Sequence, residues 1–357
     1  GLNNTTGWGN VFLGQTAGKN NIDGYFNIFL GINSGYNNLT GVSNFFAGPN
    51  AGAGNTSGNY NIFFGYSSGR YNKTGTGNIY FGKESGYSDT TGSYNIFLGE
   101  KAGYAASSSN ENICIGLESG YSVQGSGFNV MIGRNSGHST SSGMGNVMLG
   151  SGAGYNNTTG SYNLFLGNSS GIGNTTGQQN IAIGRSAGGN NLTGSGNLFI
   201  GNWAGNSETQ SDRLYIENSA ADSTQALIFG RFDLNKLRVN NYLGVGRAAA
   251  VNAMEVQGEA SKTTAGSWLA NSDKRIKTEI AEIENASEII MKLRPVKFKY
   301  TNEWMARNPS IKNQFYYNYI AQEYATVFPE SVKGSGEFLA NDKNEILQID
   351  TYNAQII

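Results

Sequence analysis

A repeat of 17 residues, continued twelve times without an insertion, constrains this chain more than any other feature. Three positions of the repeat never vary. Two glycine series run from Gly14 to Gly201 and from Gly18 to Gly205, and an asparagine series runs from Asn10 to Asn197. The unit has the form x-N-N-T-T-G-x-x-N-I-F-L-G-x-x-A-G. Because so short a unit cannot enclose a core alone, neighbouring units must stack, and the sequence predicts a β-solenoid over residues 1–205.

Each unit contains one short strand, such as Ile28-Phe29-Leu30, because three apolar residues between turn formers are too few for a helix. Side chains alternate across a strand, so the middle residue faces away from its two neighbours. We expect the aliphatic first and third positions to fill the coil, and the middle positions to form an outward row that a closed trimer covers. The middle residues are Phe12, Phe29, Phe46, Phe63, Tyr80, Phe97, Cys114, Met131, Met148, Phe165, Ala182 and Phe199.

The remaining repeated positions predict the corners of the coil. The invariant glycines indicate backbone with positive φ, and the asparagine series indicates a ladder of side-chain amides at the turn. A Thr- or Ser-rich position runs from Thr6 to Thr193 beside a turn glycine, where hydroxyl groups usually bond to the backbone. A flat Thr array that orders water, as in ice-binding proteins, is the alternative interpretation of that position.

Charged residues share one position of the repeat on three successive units, at Glu84, Lys101 and Glu118. One interpretation is mutual screening on a solvated edge, which contributes little to stability. The other is a pair of carboxylates for glycoside hydrolysis, since two units would separate Glu84 from Glu118 by about 9.6 Å. Lys101 between them argues against the second interpretation.

Aromatic residues also recur at an interval of two units. The residue before the invariant asparagine is aromatic in every other unit and usually small in the units between. The large and small residues either interlock or form evenly spaced platforms on which sugar rings stack. The candidate glycan-stacking residues are Phe26, Tyr60, Tyr94, Phe128 and Tyr162.

Composition excludes several function classes. One Cys excludes a disulfide framework and a site of several thiolates, and one His argues against a His-containing triad or a multi-His zinc site. His138 shares its repeat position with several tyrosines, so we interpret it as a substitute in an aromatic row. A net charge of −1 argues against nucleic-acid binding, and no apolar run is long enough for membrane insertion. We expect neither a metal nor a cofactor.

Charge density marks the domain organisation. Residues 1–205 hold 7 Lys/Arg and 6 Asp/Glu, whereas 206–357 hold 17 and 19. We expect a solenoid rod at 1–205, a β-rich neck of short strands at 206–270 and an α+β domain at 271–357. In the last domain the pattern predicts a helix ended by Pro295, strands near Val296 and Tyr316, and a short helix ended by Pro329.

Two parts of the sequence, the repeats and the C-terminal domain, each resemble known proteins. The repeats are similar to the stacked-coil heads of trimeric autotransporter adhesins and to the repeats of some bacterial surface and fibre proteins. The C-terminal domain contains the segments Asn271-Ser-Asp-Lys-Arg-Ile-Lys-Thr-Glu-Ile280, Leu293-Arg-Pro-Val-Lys-Phe-Lys-Tyr300, Tyr319-Ile-Ala-Gln-Glu323, Val327-Phe-Pro-Glu330 and Ile349-Asp-Thr-Tyr352. With these segments, residues 271–357 resemble the intramolecular chaperone domain at the C-terminus of phage endosialidases and tail fibres.

The second resemblance implies a homotrimer whose chaperone directs folding and then cuts itself off between Asn271 and Ser272. It implies Ser272 as nucleophile and Lys277 as general base. A desolvated lysine can serve as that base where no histidine is near. Members of the family continue into a long C-terminal helix, so we expect that helix to be truncated in this chain. Because the chain begins with Gly1 and not with Met, we also expect a fragment or a processed form.

The sequence thus predicts a mainly β trimeric fibre or adhesin tip, located outside the cell on a virion tail, an injection machine or a bacterial surface. Its expected partners are its own copies and a cell-surface glycan or receptor. Its only enzymatic step would be a single self-cleavage by a Ser/Lys endopeptidase. The alternative function is a polysaccharide-degrading tailspike enzyme.

Overall fold

In a computed structural model the chain forms two compact units, residues 1–240 and 241–357. The structure describes residues 1–240, 243–245, 254–256, 282–307, 311–339 and 342–349. The described part is mainly β, with a long solenoid in the first unit and a small α+β region in the second. This confirms the predicted fold class.

The solenoid has one three-residue strand per repeat, and each strand pairs in parallel with the next. Every strand residue lies opposite the residue 17 positions later, as Ile28 does with Phe45, and the register does not shift. The strands are β1 (Val11–Leu13), β2 (Ile28–Leu30), β3 (Phe45–Ala47), β4 (Ile62–Phe64), β5 (Ile79–Phe81), β6 (Ile96–Leu98), β7 (Ile113–Ile115), β8 (Val130–Ile132), β9 (Val147–Leu149), β10 (Leu164–Leu166), β11 (Ile181–Ile183) and β12 (Leu198–Ile200).

The middle residue of each strand points into the coil, so the prediction of an outward aromatic row is wrong. Phe29, Phe63 and Phe97 are fully buried, and their rings belong to a continuous interior stack. Ring centroids on successive rungs lie 4.9, 4.7, 4.8 and 4.9 Å apart from Phe29 to Phe97. The residues that follow at the same position, Cys114 and then two methionines, are buried as well.

The invariant asparagine explains this orientation. Asn27 precedes β2 directly and is fully buried, so alternation places Phe29 on the same, inner side. The residue that faces this ring from the opposite wall of the coil is a glycine, and its missing side chain leaves room for the ring. A Cβ at Gly35, where φ is +58°, would lie 2.5 Å from the ring of Phe29. All 24 glycines of the two series have positive φ, which confirms the predicted corners.

The first and third residues of β1–β12, which we call the outer sheet face, point away from the core. All of them are apolar. They are half-buried or exposed at most positions; Phe64 is 44% and Phe81 53% exposed, and their rings stack at 4.7 Å. The solenoid therefore carries a hydrophobic strip along its whole length, on the face opposite to the one predicted.

Two ladders of asparagine side chains run through the interior. In the predicted series, Asn44 donates from its backbone N–H to Oδ1 of Asn27 at 3.0 Å and from Nδ2 to the Gly58 carbonyl at 2.8 Å. The ladder is confirmed, although it lies beside the strands within the core. A second ladder, not predicted, links Asn38 to Asn21 at 2.7 Å and Asn55 to Asn38 at 2.6 Å.

Asp89 replaces an asparagine in the second ladder. The Tyr80 hydroxyl donates to its carboxylate, and the Gly92 backbone N–H donates to it at 2.9 Å. Burial disfavours the charged form and raises the pKa of Asp89 to about 6, although these hydrogen bonds oppose the shift. On the preceding rung both amide atoms of Asn72 are buried without a hydrogen-bond partner, so the ladder is interrupted here.

The sheet continues past the last repeat. β13 (Arg213–Ile216) pairs in parallel with β12, and β14 (Ile228–Arg231) and β15 (Lys236–Val239) follow as antiparallel strands. A 3-10 turn spans Phe232–Leu234. The buried Arg213 guanidinium pairs with Asp233 at 3.2 Å and donates to the Ser211 carbonyl at 2.7 Å.

The second unit combines short strands with short helices. The elements are β16 (Leu243–Val245), β17 (Met254–Val256), α1 (Ala286–Met291), β18 (Val296–Phe298), α2 (Asn302–Arg307), β19 (Tyr316–Asn318), α3 (Ala321–Tyr324), a 3-10 turn (Pro329–Ser331), β20 (Val332–Phe338) and β21 (Glu345–Ile349). Strands β18 and β19 are antiparallel, as are β20 and β21, while β16 and β17 are parallel. Helix α3 packs against β21 and buries Tyr324.

Removing one ring from the interior stack should destabilise the solenoid strongly. We expect Phe97→Ala to lower the free energy of unfolding by about 3–5 kcal/mol, because it leaves a cavity beside Tyr80. Tyr66→Ala removes a half-exposed ring of similar size and should change it by less than about 0.5 kcal/mol. Urea unfolding followed by circular dichroism measures both. Equal effects of the two variants would contradict the interior position of Phe97.

Asp89 should make stability depend on pH. The folded chain keeps its proton up to a pKa of about 6, compared with 3.8 for an ordinary aspartate. The contribution of the protonated Asp89 to the free energy of unfolding is therefore fully present below pH 3.8 and is lost as pH rises through 6. Asp89→Asn should abolish the loss and raise the free energy of unfolding at pH 7.5 by about 3 kcal/mol.

Denaturant unfolding of wild type and Asp89→Asn from pH 4 to pH 8 checks this expectation. Asp23→Asn, which changes an exposed carboxyl group, is the matched control and should leave the wild-type pH profile in place. Parallel profiles for wild type and Asp89→Asn would show that the buried carboxyl does not govern the dependence.

Candidate functional site

The alternating aromatic residues form an exposed row on the solenoid. The row comprises Phe26, Tyr60, Tyr94, Phe128 and Tyr162, and we call it the spaced aromatic row. Phe26 is 50% exposed and the other four are 61–64% exposed. Successive members are two rungs apart, or about 9.6 Å at the usual spacing of strands. The row therefore presents ring surface to solvent at regular intervals.

All five residues adopt left-handed backbone, with φ between 56° and 60°. Such a conformation costs a residue with a Cβ about 1–2 kcal/mol relative to glycine. Glycine does occupy the same position on the rungs of Gly9, Gly77 and Gly145. The fold alone thus favours glycine at this position, and the aromatic side chains are retained against that preference.

The rings contact the rung before them. A Cβ placed on Gly77 would lie 2.8 Å from Cδ1 of Tyr94, and one on Gly145 would lie 2.9 Å from Cδ1 of Tyr162. These pairs support the interlocking that the sequence suggests. Tyr60 and Phe128, however, follow Ser43 and Glu111, which have side chains of their own, so interlocking with glycine does not account for every ring.

A second group of rings is packed differently. Tyr87, Tyr104, Tyr121, His138 and Tyr155 lie on successive rungs as a stacked ring column, with centroids 4.8–5.1 Å apart. This confirms His138 as a substitute in an aromatic row. Burial lowers the pKa of His138, while the nearby Glu118 carboxylate opposes the shift.

The charged residues Glu84, Lys101 and Glu118 all have left-handed backbone, with φ of 57°, 56° and 54°. Among the residues that the structure describes, they form no ion pair with one another. The pair at this edge is instead Lys83 with Glu100, at 3.1 Å. The proposed carboxylate pair for glycoside hydrolysis has no supporting contact.

The buried Asp89 is no better candidate for that chemistry. Its raised pKa is typical of a catalytic acid, but the side chain is fully buried in the interior of the solenoid. A polysaccharide cannot reach it there. We therefore assign Asp89 a role in stability.

Two of the segments quoted from the C-terminal domain meet in the second unit. Arg294, just before β18, binds Glu323 in α3 through both guanidinium Nε, at 2.9 Å, and Nη2. This hydrogen-bonded pairing lowers the pKa of Glu323. Both side chains are largely exposed, so the pair positions the helix more than it stabilises the unit.

The residues predicted to perform self-cleavage, Asn271, Ser272 and Lys277, lie outside the described residues.

The sequence analysis did not predict helix α2, whose Trp304 lines a cleft of 440 Å³ together with Tyr300, Leu339 and Leu347. The short run Trp304-Met305-Ala306 between polar residues gave no periodic signal for that helix.

The described ranges contain no group of three or more His, Cys, Asp or Glu residues placed to hold a metal ion. No helix in the described part is long and apolar enough to cross a membrane.

Comparison with known proteins adds one family. No curated protein matches the chain significantly. Residues 272–333 match the family model described as chaperone of endosialidase. The matched range begins at Ser272 and includes Arg294 and Glu323. The chain is thus a β-solenoid of twelve 17-residue rungs that carries, at residues 272–333, a segment similar to the chaperone of endosialidase family.

Proposed function

We propose that the chain is the rod of a homotrimeric fibre or adhesin, whose C-terminal segment aligns three copies during folding and then cuts itself off. The observation that carries this proposal is the chaperone match at 272–333, downstream of a solenoid with twelve equivalent rungs. A fibre of this kind would stand outside the cell, on a virion tail, an injection machine or a bacterial surface.

The outer sheet face supports assembly with further copies. Monomeric soluble proteins rarely expose a contiguous apolar patch of more than a few hundred Å². Here two apolar columns follow all twelve strands, from Val11 and Leu13 to Leu198 and Ile200. Identical faces on three chains can cover one another around a closed axis, and the chaperone family assembles as a trimer. The interface of the proposed trimer is therefore the outer sheet face and not the buried middle row.

The equivalence of the rungs explains why such a fibre would need a chaperone. Each strand pairs with a neighbour of nearly the same sequence, without a register shift. Three chains displaced by one rung would therefore keep most of their contacts. A domain that trimerises first fixes the ends of the chains and rejects the staggered assemblies. Its removal afterwards makes refolding slow, so that persistence of the rod depends on its unfolding rate.

The proposed cleavage uses Ser272 and Lys277. The Ser272 hydroxyl oxygen attacks the carbonyl carbon of Asn271, while the Lys277 amine accepts the proton of that hydroxyl group. The C–N bond breaks, the Ser272 nitrogen takes up a proton, and an ester joins the two residues. Water then hydrolyses the ester and releases residues 272–357. The family match supports this step because it begins at Ser272.

Cleavage is tested by substituting the two proposed catalytic residues. We expect the full chain to yield fragments 1–271 and 272–357, and Ser272→Ala and Lys277→Ala to remain intact on denaturing electrophoresis. Lys292→Ala, which removes a lysine of the same unit outside the proposed pair, should be cut like wild type. Mass spectrometry of the fragments locates the bond. Cleavage that persists in Ser272→Ala would refute the mechanism.

The trimer interface is tested by placing charge on the outer sheet face. We expect Phe64→Glu with Phe81→Glu to reduce the molar mass measured by light scattering from three chains to one, because like charges would be buried together. Tyr66→Glu changes a ring of similar exposure outside this face and should leave the trimer intact. A trimer that survives the paired substitution would place the interface elsewhere.

A further inference from the structure

We propose that the spaced aromatic row binds a linear, uncharged polysaccharide laid along the rod, with one sugar ring against each aromatic ring. The inference rests on the proposed function, since it names the class of receptor for the fibre. It is carried by the spacing, the backbone conformation and the charge of the row.

The spacing leaves ring surface unoccupied. In the stacked ring column every interior member has a ring about 5 Å away on each side, so its faces are already paired. Within the described part of the chain, Tyr60, Tyr94, Phe128 and Tyr162 contact no other aromatic ring. A pyranose has nearly the footprint of a phenyl ring, and its C–H groups complement the electron-rich face of an aromatic side chain. An interval of two rungs is comparable to a disaccharide unit of an extended chain.

The backbone shows that the rings are not needed to build the rung. Four rungs use glycine at this position, and their coils have the same register as the others. Ser43, Glu111 and Gln179 have the same left-handed backbone without a ring, so the coil imposes the conformation and does not require the aromatic side chain. Strained backbone of this kind is common at binding sites. The row combines it with an exposed ring at five positions.

Polar groups beside the rings suit sugar hydroxyls. Asn59, Ser93 and Ser161 directly precede Tyr60, Tyr94 and Tyr162. Asn59 accepts the Val42 backbone N–H at 2.8 Å, and Ser93 accepts that of Thr76 at 3.1 Å. Within the described residues the Asn59 side-chain amide and the Ser93 hydroxyl donate to no partner and remain available to a ligand, whereas the Ser161 hydroxyl donates to the Thr159 carbonyl at 3.3 Å.

The charge around the row favours an uncharged ligand. Between Phe26 and Tyr162 the repeat position of the row holds one charged residue, Glu111. No basic residue shares that position or the one before it, so an anionic glycan or a nucleic acid would find no counter-charge. The position instead provides apolar ring faces and neutral donors.

The test uses the full-length protein and an array of linear oligosaccharides of two to eight sugars, with neutral β-linked glucose and N-acetylglucosamine series and a heparin series. Hits are measured by calorimetry. We expect neutral oligomers to bind, with affinity rising at each length that reaches a further ring. Each removed ring should weaken binding about three- to tenfold.

Glycine substitutions separate binding from folding. Tyr60→Gly, Tyr94→Gly and Tyr162→Gly introduce the residue that the backbone prefers, so they should keep or raise the melting temperature while they reduce affinity. Ser43→Gly and Gln179→Gly make the same change at positions of the same conformation that lack a ring, and should bind like wild type. Loss of affinity only in the tyrosine variants supports the proposal.

Three results would overturn it: no neutral oligomer binds, the tyrosine and control variants bind equally, or heparin binds in preference to neutral sugars. Light scattering on the same samples keeps the two proposals apart. A trimer that binds no oligosaccharide refutes only the glycan site, and a monomer that binds one refutes only the trimeric assembly.

Discussion

Each rung of this solenoid is completed by the rungs beside it, and the remaining features of the rod follow from that dependence. The interior has no large apolar cluster within a single repeat. Each rung contributes one middle residue, which is a ring, a methionine, Cys114 or Ala182, together with buried asparagines and a small Ala or Ser. The rings and the asparagines contact the equivalent residue 17 positions away. Stability therefore accumulates along the axis, as in other repeat architectures. A defect such as Asp89 acts locally because only its two neighbouring rungs share the hydrogen bonds that it alters.

The same dependence explains how far the sequence could predict the fold. Periodicity alone predicted the number of rungs, their stacking and the glycine corners, because an unbroken 17-residue repeat permits few other arrangements. The orientation of the strands was predicted wrongly. The aliphatic first and third residues suited the inside of a coil, but alternation requires the buried Asn27 and Phe29 to share a face. Had the asparagine ladder been assigned to the core and not to a turn, alternation would have placed the rings inside.

In the C-terminal unit the short motifs were more informative than secondary-structure patterns. They led to the resemblance that the family match bears out, and they include Arg294 and Glu323, which the fold brings together. Helix α2 and strand β20 could not be predicted because short amphipathic segments lack a stable period. The spaced aromatic row was visible in the sequence as an interval of 34 residues, but its exposure and its left-handed backbone depend on the geometry of the coil.

The two-rung interval of the exposed rings has a consequence for how such a rod can change in length. Loss or gain of one 17-residue unit would preserve the register of the interior ladders, yet it would bring two rings or two small residues onto adjacent rungs. Units exchanged in pairs would leave the alternation intact. The interior register is thus the same whether an odd or an even number of units is exchanged, whereas the alternation on the surface survives only an even number. Selection on the surface would therefore favour rods that differ from one another by even numbers of rungs.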